Sequence, residues 1–102
     1  MRLPFESGAA DEFEAAAAWY EGERPGYGAL FMSEVQRSVD RAARFPQSGT
    51  RVPGLDPERD IRRFVLRRFP YSVVTAIVDG RRAVVAVAHG SQEPGYWRQR
   101  LK

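Results

Sequence analysis

The only histidine of this 102-residue chain, His89, stands where an apolar run gives way to Gly90-Ser91-Gln92-Glu93 and then Pro94-Gly95-Tyr96-Trp97. Imidazole is the side chain whose ordinary titration lies near neutrality, so His89 is the one candidate for proton transfer at neutral pH. It has no second histidine and no cysteine to work with. Metal-ligand spacings are absent, and no metal is expected. No nucleophile elbow, phosphate loop or dinucleotide fingerprint occurs; Gly26-Tyr27-Gly28 lacks a preceding strand and reads as a turn. No cofactor is expected either. A lone histidine at a strand end is more often a packing or docking residue than a general base.

The arginines carry more information. Of 16 basic residues only Lys102 is lysine, and the guanidinium fork suits carboxylates, phosphates and aromatic faces. A GC-rich coding sequence also enriches arginine, but it does not segregate charge. Residues 1–23 carry one basic and six acidic side chains, net −5, whereas the remainder carries 15 basic and seven acidic, net +8. Within Ile61–Arg68, period-two alternation puts Arg63, Val65 and Arg67 on one face, opposite Arg62, Phe64, Leu66 and Arg68. If Phe64 and Leu66 pack inward, Arg63 and Arg67 form an outward patch. That patch suits RNA phosphates, an acidic peptide or plain solvent. Near the end of the chain Tyr96, Trp97 and Arg98 are of the types that anchor interfaces. Terminal aromatics also pin a last helix to the core, and one ring buried with the other at the rim is expected.

These residues need a scaffold. Arg2–Glu6 reads as a short first strand, with Ser7 as a helix N-cap and Asp11, Glu12 and Glu14 in the early turns. Ala9–Glu23 is alanine-rich, with Phe13, Ala16, Ala17 and Tyr20 spaced for one helical face. After Arg24-Pro25-Gly26, a second helix fits Gly28–Arg44, with Phe31, Val35, Val39 and Ala42 as its apolar stripe. Its other face, Glu34, Arg37, Asp40 and Arg44, has the spacing of alternating ion pairs. Phe45–Arg59 reads as a loop. Ile61–Arg68, Tyr71–Val78 and Arg82–Ala88 then read as strands, with Asp79-Gly80 as a hairpin turn. The nearly continuous apolarity of Val73 to Val78 makes the middle strand central, with both faces partly covered. Pro94–Leu101 is a short helix or ordered tail. The expected fold is α+β: an N-terminal helical hairpin packed on a small antiparallel sheet, in the order β-α-α-β-β-β, closed by a short C-terminal helix.

Residues 1–102 are sized for one domain, and the apolar fraction of 43% with 28% charge fits a globular chain. No apolar run approaches a membrane span, and no leader pattern precedes the first helix. A soluble, cytoplasmic protein without membrane contact is the expectation.

The segments AAAAWYEGERPGYGALFMSEVQRSV, RRFVLRRFPYSVVTAIVDGRRAVVAVAH and PGYW together resemble the ParE-type toxins of the RelE/ParE superfamily, over roughly residues 9 to 100. The most specific blocks are Trp19-Tyr20-Glu21 with Arg24-Pro25-Gly26, then Arg68-Phe69-Pro70-Tyr71, then His89 with Pro94-Gly95-Tyr96-Trp97. The resemblance implies the toxin half of a bacterial type II toxin–antitoxin module, of the kind linked to plasmid stabilisation. It also implies a cognate antitoxin that wraps and neutralises it, with DNA reached only indirectly through that antitoxin. RelE-like members cut messenger RNA on the ribosome with basic side chains; ParE-like members inhibit DNA gyrase by binding. At the positions where the RelE branch tends to place catalytic lysine or arginine, this chain has Val65, Ser72 and Gln92. A cleavage site without those cations loses charge stabilisation in the transition state, so gyrase binding is favoured. The alternatives are a ribosome-dependent messenger-RNA endonuclease using Arg63, Arg67, His89 and Tyr96, and a non-toxic relict or interaction module. The implied target- and antitoxin-binding residues are Arg63, Val65, Arg67, His89, Tyr96, Trp97 and Arg98. ParE-type chains commonly carry arginines between His89 and Pro94; here stand Gly90, Ser91, Gln92 and Glu93.

Overall fold

Apolar residues at helical spacing build the first layer. In the computed structural model, which describes residues 3–53 and 56–101, α1 spans Ser7–Glu23 and α2 spans Tyr27–Arg44. Ala9, Ala16 and Tyr20 of α1 are buried against Phe31, Val35, Val39 and Ala42 of α2. Each large side chain removed from water in this way contributes roughly 1.5–3 kcal/mol. The turn between the helices depends on Gly26, whose φ of 91° is left-handed, and on Glu21. The Glu21 carboxylate accepts from the N–H groups of Gly26 and Gly28, each at 3.0 Å, satisfying donors that a helix start leaves open.

The expected first strand is a single contact. Arg2 lies outside the described residues. Phe5 forms one parallel bridge to Val84, with Val84 N–H donating to Pro4 at 2.8 Å and Glu6 N–H donating to Val84 at 2.9 Å. A longer strand is prevented on one side by Pro4, which has no N–H to give, and on the other by the start of α1. Glu6, rather than Ser7, is the N-cap, without a side-chain cap bond. Nor does the polar face of α2 form its alternating ion pairs among the described residues. Glu34 turns inward instead and accepts from the N–H groups of Arg67 and Arg68 at 2.9 and 3.0 Å. A buried carboxylate is stabilised by such donors.

The second layer is an antiparallel sheet in the order β1-β2-β3-β4, with β1 Thr50–Arg51, β2 Arg62–Val65, β3 Tyr71–Val78 and β4 Arg81–His89. β1 falls in the segment read as loop; two residues flanked by prolines and glycines carry too little periodicity to show. β2 is shorter than Ile61–Arg68, because the chain turns at Leu66–Pro70 to satisfy Glu34. Asp79 and Gly80 both have positive φ, 50° and 78°, which matches the right-handed twist of a two-residue hairpin. Opposite Val74 and Thr75 the register of β4 shifts, pairing Val74 with Ala86 and Thr75 with Val84. Val85 is thus an extra, bulged residue. The bulge turns Val84 and Val87 toward the helices, and Val85 and Ala86 toward the opposite face.

That opposite face is covered by a terminal 3-10 helix, Tyr96–Leu101. Trp97 seals a second core with Ile61, Val74, Ala76, Val85 and Ala86. At one end of the sheet, Asp60 holds Arg62 at 3.0 Å and Arg82 at 2.5 Å. Burial alone would raise the Asp60 carboxyl, but these two guanidinium groups outweigh it and hold the pKa low. The fold is α+β, with the helical hairpin, sheet and terminal helix as three layers.

Candidate functional site

The face of the sheet away from the helical hairpin is only partly covered by Trp97. Beside that ring lies an open cleft of about 180 Å³, bordered by Arg63, Ser72, Ala88, His89, Trp97 and Arg98. β2 delivers Arg63, which is exposed and lies across from Val74. The terminal helix delivers Trp97, 5% exposed, and Arg98, which is exposed. Gly95 sets their direction: its φ is 77°, and a Cβ there would lie 2.6 Å from Arg98 Nε.

His89 closes one end of the cleft, and most of its polar contacts are local. Its ring meets Tyr71 edge-on, with centroids 4.9 Å apart. Nδ1 accepts from Ser91 N–H at 2.9 Å and meets Ser91 Oγ at 2.8 Å. That contact places the proton of a neutral ring on Nε2. His89 N–H donates to Gln92 Oε1 at 2.8 Å, and Gly90 N–H to Pro70 O at 2.7 Å. The polar sequence after His89 therefore forms a self-bonded turn that anchors β4 to the Phe69-Pro70 corner.

Tyr96 and Arg100 fasten the tail to α1. Glu12 accepts from the Tyr96 hydroxyl in a short hydrogen bond, from Arg100 at 2.9 and 3.0 Å, and from Val87 N–H at 2.9 Å. Burial would raise the Glu12 carboxyl, yet these donors together hold it below its ordinary range. The same contact acts on its partners: burial and the Glu12 carboxylate push the Tyr96 phenol far up, and Glu12 raises the Arg100 guanidinium. Arg100 also donates to Val85 O at 2.9 Å, so the free edge of β4 is occupied around its bulge. Glu12 and Arg100 are central to this arrangement, whereas in the sequence Glu12 reads only as a helix-dipole complement. They lie 88 residues apart, and the signal available was only an acidic α1 facing an arginine-rich tail.

The sequence-predicted residues divide between two places. Arg63, His89, Tyr96, Trp97 and Arg98 border the sheet-face cleft. Val65 and Arg67 instead border a groove along α2. The shared face inferred from period-two alternation ends with β2 at Val65; Arg67 belongs to the following turn. Among the described residues, no three acidic, histidine or cysteine side chains are placed to hold a metal ion together. No helix among them is long and apolar enough to cross a membrane.

Comparison with known proteins agrees with this architecture. A solved structure described as the chromosomal ParDE TA system from P. aeruginosa superposes with a TM-score of 0.69 at 18% identity, covering 87% of this chain and 95% of that one. At that identity the likeness concerns the fold. No curated protein sequence matches the chain. The family model described as the ParE toxin of the type II toxin-antitoxin system, parDE, matches residues 4–94. The helical hairpin, the four-stranded sheet and that match together place the chain in the ParE toxin family of type II toxin–antitoxin systems.

Proposed function

We propose that the chain is a toxin neutralised by a cognate antitoxin and acts by binding DNA gyrase, without bond-breaking chemistry of its own. The observation that carries the non-enzymatic part is the state of the groups around His89. Nδ1 is held by the Ser91 turn and Gln92 Oε1 by the His89 backbone, while Tyr96 is bound to Glu12 with its phenol pushed up. Val65 and Ser72 supply no cation. A messenger-RNA cleavage site needs several positive or proton-donating groups converging on one phosphate. Of the nuclease candidates, Arg67 lies outside the sheet-face cleft that Arg63, His89 and Tyr96 border.

The exposed part of the cleft, with Arg63 and Arg98 beside the half-buried Tyr96, supports a protein dock. Arginine beside aromatic side chains is the composition of interface hot spots. In cells, induction of the chain without its antitoxin is expected to stop growth while translated messages stay intact in primer extension. Codon-positioned cuts would overturn this reading and establish the nuclease alternative. Unaffected growth would favour the non-toxic module. Co-expression with the small open reading frame beside the gene is expected to restore growth and yield a stable complex.

A further inference from the structure

A second groove, of about 560 Å³, runs between the outer side of α2 and the chain leaving β2. Glu34, Arg37, Ser38 and Arg41 form one wall, and residues 65–68 form the other. Arg37, Arg41 and Arg67 are exposed and form no ion pair among the described residues. Arg37 and Arg41 stand one helical turn apart, about 6 Å along the axis. The volume falls in the range of small-ligand sites. Three unanswered guanidinium groups around it suit an anion of several charges, phosphate above all.

The same groove holds a carboxylate that the fold uses by one oxygen only. The Glu34 side chain is 9% exposed. Its Oε1 accepts from the N–H groups of both Arg67 and Arg68, at 2.9 and 3.0 Å, and so fixes the turn after β2. Oε2 is screened from solvent and has no hydrogen-bond partner among the described residues. Arg68 Nε approaches Glu34 Oε2 at 3.6 Å, on a side chain that is 61% exposed. That separation is too long for a hydrogen bond. Buried carboxylate oxygens are seldom left without a donor. One that borders a groove of unpaired cations suits a ligand bringing both an anion and a donor. On the facing wall Val65, 63% exposed, adds an apolar surface.

We propose that this groove binds a nucleoside polyphosphate whose base carries an exocyclic amino group. The phosphates meet Arg37, Arg41 and Arg67, the amino group donates to Glu34 Oε2, and the base lies against Val65. Arg68 turns outward to the phosphates as the amino group takes its place, so a loose ion pair gives way to a hydrogen bond on a charged acceptor. Carboxylates read the amino group of cytosine in this manner. Uracil presents a carbonyl oxygen at the same position, and two acceptor oxygens facing each other repel. Inorganic polyphosphate answers the arginines but brings no donor to Oε2. A strand of nucleic acid offers one phosphate per base, fewer than the clustered arginines can engage. The site is separate from the Trp97 cleft, and its occupancy does not depend on gyrase binding.

The test titrates isotope-labelled protein, in buffer free of divalent metal, with the triphosphates of cytidine, adenosine, guanosine and uridine and with tripolyphosphate. Saturable amide shifts at Ser38, Arg67 and Arg68 are expected with at least one amino-bearing nucleotide, bound about ten-fold or more tighter than uridine triphosphate or tripolyphosphate. The exposed double substitution Arg37→Ala with Arg41→Ala should weaken that binding about ten-fold or more. Glu34→Gln keeps an acceptor for the turn and puts an amide NH2 in the place of Oε2, so the preference should pass to uridine triphosphate. Any of several results overturns the proposal: no saturation at millimolar nucleotide, equal binding of uridine triphosphate or tripolyphosphate, shifts centred on the Trp97 cleft, or tighter binding of a short single-stranded oligonucleotide. Unchanged affinity in the folded double-alanine variant, or an unchanged base preference in folded Glu34→Gln, overturns it equally. Should Glu34→Gln fail to fold, the double-alanine variant and the comparison with uridine triphosphate decide.

Discussion

At the scale of single residues, Glu12 accepts four hydrogen bonds from β4 and the terminal helix. It joins α1 to the edge of β4 and to the terminal helix at once. Glu12→Gln keeps the shape but removes the charge from these bonds, and a loss of about 2 kcal/mol in urea unfolding at neutral pH is expected. The pH dependence follows from the direction of each shift. Glu12 and Asp60 are both held low in the folded protein. Their stabilisation is complete above the ordinary carboxylate range, about 4, and is lost as pH falls through the lower folded values. Tyr96, Tyr20 and Tyr71 are shifted the other way, each first by burial. Their contribution is complete below the ordinary phenol value of about 10 and is lost as pH rises through the folded values. Urea midpoints measured across pH should therefore fall at both extremes. In Glu12→Gln the acid-side fall should be shallower; an unchanged acid limb would show that Glu12 does not couple the tail to folding.

At the scale of elements, two substitutions test how the layers are joined. Trp97→Ala empties the core beneath the terminal helix, and about 3–5 kcal/mol should be lost on denaturation. A loss under about 1 kcal/mol would mean that the tail is not part of the cooperative unit. Gly28→Ala tests the helix crossing. Alanine ordinarily improves a helix position over glycine by about 1 kcal/mol, but here its Cβ would stand 2.8 Å from Ala17 O. Destabilisation is expected, and a raised melting temperature would contradict the close approach. The helices were legible in the sequence because Phe31, Val35, Val39 and Ala42 repeat at helical period, and the β3–β4 hairpin because Asp79-Gly80 requires positive φ. The Val85 bulge was not, since a register shift depends on the partner strand, and β1 was too short to carry a pattern. The same reason separates Arg63 from Arg67: alternation assigns faces only while the strand continues, and Glu34, on another element, ends it. His89 and the aromatic tail were visible as residues, whereas the turn that occupies Nδ1 and the Glu12 contact of Tyr96 depend on packing across the fold.

At the scale of the whole molecule, charge is divided between an acidic first helix and an arginine-rich remainder. Some of those arginines are answered within the fold: Arg62 and Arg82 are paired with Asp60, and Arg100 with Glu12. Others, among them Arg37, Arg41, Arg63 and Arg67, remain exposed and give the surface its positive field. Association with an acidic partner should accordingly slow as salt rises and the Debye length shortens from about 10 Å at 0.1 M. A rate constant independent of ionic strength in stopped-flow mixing would show that the exposed arginines do not steer the encounter. The central claim, that a ParE-family fold whose His89 Nδ1 and Tyr96 hydroxyl are engaged in structural contacts acts by binding gyrase, is tested most directly by supercoiling with purified gyrase and relaxed plasmid. Micromolar toxin is predicted to block supercoiling or trap cleaved plasmid, with activity restored by the antitoxin; full supercoiling at the highest toxin concentration would contradict it.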